Sequence, residues 1–194
     1  MAAAAGNNAG MLGLTFRGAP IRLVPQQDPT TFETTQLMAK VNIGTVANPV
    51  YEKRYADVPT LDRDNRELML RTVHEFYDAC TPARLSLTTG AARYMKFREC
   101  LGPSFRGPWD VARQGQPNTT QGFNNSVVNF LESYFLPTDF IDQVNYLNTT
   151  RKHENLSVQE LALRIELLNQ LMARMPGSGG VNPFNDHDLK VAFY

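Results

Sequence analysis

The sequence predicts an all-α chain with a short extended segment near its N-terminus. Two observations carry that expectation. From residue 62 onward, stretch after stretch repeats apolar side chains at steps of three and four, the period of a helix with one packed face. Strand signals, by contrast, are confined to residues before 59, and no internal repeat of fixed period accompanies them.

Residues 1–35 mix Gly, Ala, Asn, Pro and Gln with a few apolar residues such as Ile21, Leu23 and Val24, and read as an arm that orders only by docking. Between Leu37 and Val50 the β-branched Val41, Ile43, Thr45, Val46 and Val50 predict one or two short extended pieces, with Gly44 as a bend. Asp64 followed by Glu67 is an acidic form of the capping box, and Leu68, Val73, Phe76 and Cys80 continue a helix from about 62 to 79 that Pro82 closes. A second helix runs from Thr88 or Thr89 to Leu101 and stops at Gly102-Pro103. Pro108 suits the first turn of a short helix carrying Trp109, the only tryptophan. Phe123, Val127, Phe130, Leu131, Tyr134 and Phe135 make a broad aromatic stripe ending before Pro137, and a further helix reaches Leu147.

The most legible stretch is Ser157 to Met175. Leu161, Ile165, Leu168, Met172 and Met175 recur at steps of four, three, four and three, one continuous stripe. Ser157 and Glu160 form an S-x-x-E capping box whose serine contributes ~1 kcal/mol, and Pro176-Gly177 stops the helix. A last helix is expected to begin at Asp186 and run to Tyr194.

Of the 194 residues 42% are hydrophobic and 20% charged, which describes a folded chain. Nineteen basic residues balance nineteen acidic ones, so no overall field draws the chain to nucleic acid or to anionic lipid. Cys80 and Cys100 have neither disulfide nor zinc spacing and read as buried reduced thiols, which suits the cytoplasm. No stretch approaches the ~18 apolar residues of a membrane span, and no secretory signal opens the chain. No membrane partner is expected.

Enzymatic signatures are lacking: no phosphate-binding glycine loop, no HExxH, no GxSxG and no zinc knuckle. His74, His153 and His187 stand apart with no ligand spacing, so neither catalytic residue, cofactor, metal nor small-molecule substrate is expected. Basic residues interleave with aromatics at Arg93–Arg98 and Arg106–Arg113, an arrangement that can bind nucleic acid. The helical period instead puts Tyr94, Phe97 and Trp109 on the packed side and the arginines on the solvated one. Arg93, Lys96, Arg98, Arg151 and Lys152 therefore stand as weak RNA or assembly contacts, and Trp109, Phe97, Phe130 and Phe135 as core anchors.

TGAARYMKFRECLGPSFRGPW at 89–109, SVVNFLESYF at 126–135, and Arg151-Lys152 leading into SVQEL at 157–161 follow one another in an order that resembles the Gag capsid region of long-terminal-repeat retrotransposons. The likeness covers about residues 50–194. It lies in order and spacing rather than in any one motif. It implies two small helical lobes: a flexible arm at 1–47, an N-terminal lobe at 48–136 and a C-terminal lobe from 137 to 194 that is incomplete by roughly two helices. It further implies a non-enzymatic, self-assembling capsid protein that forms rings and shells around the element's RNA, with RNA contacts made chiefly by flanking segments. The competing reading is a helical adaptor, or a domesticated capsid relative, that binds partner peptides in a groove.

Overall fold

The computed structural model describes residues 23, 32–149 and 157–185. Its first regular elements are strands. Thr34–Asn42 (β1) and Tyr51–Pro59 (β2) pair antiparallel in unbroken register, from Thr34 opposite Pro59 to Asn42 opposite Tyr51. Six helices follow among the described residues, so the expected all-α class is wrong: the chain is mixed α and β. The reason is visible in the alternation. The inward positions of the hairpin include Leu37, Ala56 and Val58, which are buried, but also Thr35 and Arg54, so the apolar period of two is diluted by polar residues. The β-branched cluster that drew attention, Ile43 to Val50, is the loop between the strands. There Asn42 Oδ1 accepts from Gly44 N at 2.9 Å and from Val50 N at 3.1 Å. A Cβ on Gly44 would stand 2.4 Å from the Asn48 carbonyl oxygen, so the tight loop requires glycine. The hairpin also crosses residue 47, where the arm was expected to give way to the first lobe.

Arg66–Ala79 forms α1, capped by Asn65, whose Oδ1 accepts from Leu68 N at 2.9 Å. Asp64 is therefore not the cap. Glu67, expected to close a capping box, is turned instead toward Arg71 and Arg164. Gly90–Glu99 (α2) and Thr120–Glu132 (α4) are capped by the threonine before each. Pro103–Arg113 (α3) begins five residues earlier than expected. Pro103 takes the first-turn position, and Pro108 is carried inside the helix. Asp139–Thr149 is α5 and Val158–Met172 is α6. In α6 both bonds of the capping box are made, Glu160 N to Ser157 Oγ at 3.1 Å and Ser157 N to Glu160 Oε2 at 2.9 Å.

The core is an aromatic cluster drawn from four helices. Phe97 of α2 lies 4.7 Å from Trp109 of α3, 5.0 Å from Phe76 of α1 and 5.9 Å from Phe123 of α4, mostly edge to face. Phe130 completes it at 5.8 Å from Trp109, and Phe135 is buried beneath the Arg66 guanidinium. Among the described residues the Trp109 indole N–H has no acceptor. Helix α1 sits at the centre, packed by β2, by the aromatic cluster and by α6. Leu161, Ile165, Leu168 and Met172 of α6 are all buried. No helix among the described residues is long and apolar enough to cross a membrane. Arg151, Lys152 and the helix expected at 186–194 lie outside the described residues.

Candidate functional site around Met95

Helix α2 is buried on one side through Tyr94 and Phe97 and exposed on the other through Ala91, Met95, Arg98 and Glu99. Its start is pinned. A Cβ on Gly90 would stand 2.2 Å from the Thr119 carbonyl oxygen, so α2 can approach the cap of α4 this closely only with glycine there. Two grooves flank its exposed side and share Met95, 61% exposed, as their common rim. One, of about 350 Å³, runs between α2 and the hairpin and is lined by Met38, Lys40, Leu87, Ala92 and Lys96. The other, of about 440 Å³, lies toward α3 and is lined by Tyr94, Arg98, Glu99, Arg106, Arg113 and Asn118.

The polar geometry of this face is well specified. Arg98 grips Asp110 with two bonds, Nε to Oδ1 and a terminal nitrogen to Oδ2, each 3.1 Å. That hydrogen bond, more than the charge behind it, holds the Asp110 carboxyl below its ordinary value and lifts Arg98. Lys96 Nζ meets both oxygens of Glu99 at 2.9 and 3.1 Å. The Arg113 guanidinium lies 4.5 Å from the centre of the Tyr94 ring.

Of the basic residues expected as contacts, Lys96 and Arg98 thus border this face, one in each groove. Arg93 does not, since it is half-buried and donates Nε to the Leu87 carbonyl at 2.8 Å. The expected interleaving with aromatics does not give a stacking surface here. Tyr94, Phe97 and Trp109 are at most 1% exposed. Lys40 and Met95 escaped the sequence reading because their relevance comes from β1 and α2 lying side by side, which local spacing does not encode.

A second exposed surface is the outward face of the hairpin. Met38 stands opposite Tyr55, Lys40 opposite Lys53, and Asn42 opposite Tyr51, and all six side chains are exposed. Like charges directly opposite are unfavourable in a sheet, and neither lysine forms an ion pair among the described residues. Among the described residues, six of the fourteen large hydrophobic side chains left exposed fall between residues 38 and 55, which makes the hairpin the stickiest described part of the chain.

Burial pushes the Cys80 thiol up to about 11 and that of Cys100 to about 12, so both stay protonated at neutral pH. Burial, then the charge of Arg174, pulls His74 below its ordinary value. Among the described residues no three His, Cys, Asp or Glu side chains are placed to share a metal ion. No family model, no curated protein and no solved structure matches this chain.

Proposed function

We propose that the chain is a structural subunit that self-assembles in the manner of a Gag-like capsid, enclosing nucleic acid in the cytoplasm and catalysing nothing. One observation carries the reading. Large apolar side chains are left exposed in separate patches on different elements: Met38, Ile43, Val50, Tyr51 and Tyr55 on the hairpin, Leu136 and Ile141 at the start of α5, Val158 and Leu163 on α6. A subunit with two unlike sticky patches can join head to tail, and such contacts close into rings or propagate. Each patch alone is modest, and symmetry multiplies its effect.

Light scattering and negative-stain microscopy of the purified chain at raised salt test this. Rings, tubes or shells are expected, and Tyr55→Asp or Leu163→Asp should dissolve them without lowering the melting temperature. A wild-type chain that stays monomeric at every concentration would overturn the assembly reading. The two grooves beside Met95 would then favour the adaptor, with a peptide as ligand.

A further inference from the structure

The groove between α2 and α3 carries uncompensated charge in an ordered arrangement. On α3, Arg106, Asp110 and Arg113 follow one another at steps of four and three, so they share one side of the helix. Seven residues of helix separate the two arginines by about 10 Å along the axis. The acids nearby are already engaged. Asp110 has both oxygens on Arg98, and Glu99, the carboxylate that lines the groove, has both on Lys96. Arg106 and Arg113 form no ion pair among the described residues.

Each of the two is nonetheless held. Arg106 donates Nε to the Leu101 carbonyl at 2.9 Å, and among the described residues neither terminal amino group has an acceptor. Arg113 donates one terminal nitrogen to Asn118 Oδ1 at 3.2 Å while lying on the Tyr94 ring. Guanidinium forks anchored by one contact lose little further freedom when they bind an anion, and their planar geometry matches phosphoryl oxygens. The cavity of about 440 Å³ falls within the size range of small-ligand sites.

We propose that this groove binds a phosphate-bearing ligand, with Arg106 and Arg113 each taking one phosphoryl group. Two arginines whose backbones stand about 10 Å apart along one helix suit a ligand that carries more than one phosphoryl group, as a polyphosphate or a nucleic-acid backbone does; a lone carboxylate would meet only one of them. The site does not depend on whether the chain assembles.

The test is calorimetric titration of the full chain at low salt with inorganic phosphate, tripolyphosphate and a short oligouridine. Tripolyphosphate is expected to bind at least about tenfold more tightly than inorganic phosphate, the equivalent of one additional charge-assisted hydrogen bond. Arg106→Glu, an exposed position, should weaken it by at least about tenfold with an unchanged melting curve, and Arg113→Gln should do the same. Arg84→Gln, which disrupts a surface pair with Asp78 away from the groove, should leave binding unchanged. If oligouridine binds no better than tripolyphosphate the ligand is a free polyphosphate, and if it binds more tightly and is lost with Arg106→Glu the ligand is a nucleic-acid strand; both outcomes support the site. No saturable binding by either probe, or wild-type affinity in Arg106→Glu, would overturn it.

Discussion

Helices α1 and α6 both begin with a side-chain cap and both carry an apolar stripe, yet they hold different places in the molecule. In α6 the stripe of Leu161, Ile165, Leu168 and Met172 is buried while Val158, Leu163 and Glu166 face outward. In α1 only Asp78 is fully exposed. Its polar residues are largely covered too, and three of them are answered inside the fold. Thr72 Oγ1 donates to the Leu68 carbonyl at 2.8 Å, the Tyr77 hydroxyl donates to Asn124 Oδ1 at 3.0 Å, and Glu67 accepts from Arg71 at 2.9 Å. The tidiest stripe therefore marks a helix with a single packed face. The central helix reads as less tidy because polar side chains such as Glu67, Thr72 and Tyr77 have partners inside the fold.

The comparison is broken most directly at Phe76. Its ring is fully buried and touches Phe97 and Phe123, so Phe76→Ala should cost about 4 kcal/mol through lost transfer energy and the cavity left behind. Chemical denaturation measures this, and a loss no greater than that of Ile165→Ala in α6 would mean that α1 is not the centre.

The contact joining the two helices gives the next largest effect. Arg164 of α6 reaches Glu67 of α1 with two bonds of 2.5 Å, and both side chains are largely buried. Arg164→Ala strands a buried carboxylate and should cost about 3 kcal/mol, the low end for such pairs because Arg71 still holds Glu67. Glu67→Ala combined with Arg164→Ala should cost less than the sum of the two single changes. Burial opposes ionisation of Glu67, but the hydrogen bond and charge of Arg164, then those of Arg71, outweigh it and hold the carboxyl below its ordinary value. A depressed acid stabilises the fold at pH values above its unfolded value, near 4.3, and that contribution is lost as pH falls through the folded value. Acid unfolding of Arg164→Ala should therefore show a shallower dependence on pH than wild type. Equal slopes would place the linkage elsewhere.

Ile165→Ala sharpens the contrast from the α6 side. Ile165 is 8% exposed, at the margin of the stripe, and its truncation should cost about 2 kcal/mol. An unchanged melting temperature would mean that this part of the stripe does not pack.

What the sequence revealed follows the range of the signal. The capping box at Ser157, the burial of Phe97, Trp109, Phe130 and Phe135, and the helical stripe of α6 are local patterns, readable within a few turns of chain. The hairpin was hidden because its inward positions mix Leu37 with Thr35 and Arg54, and because its loop holds the most β-branched segment. The cap of α1 fell to Asn65 rather than Asp64 because Glu67, needed for a box, is drawn away by Arg164, 97 residues along the chain. The face around Met95 is a product of packing: Lys40, Lys96, Arg106 and Arg113 come from three elements, and only the approach of β1 and α3 to α2 assembles them.

The smallest effect separates the two helices by location rather than size. Ser157→Ala removes the oxygen that accepts from Glu160 N at 3.1 Å, worth ~1 kcal/mol. Residues 157–160 are all exposed, so the first turn of α6 gains little from packing, and the cap is the main interaction that closes it. Loss of the cap should therefore lower hydrogen-exchange protection in the first turn of α6 while the amides of α1 keep theirs, because α1 opens only when the core does. Equal loss of protection in both helices would show that the two ends of the Arg164–Glu67 contact unfold as one unit, and the distinction between a central and a peripheral helix would fail.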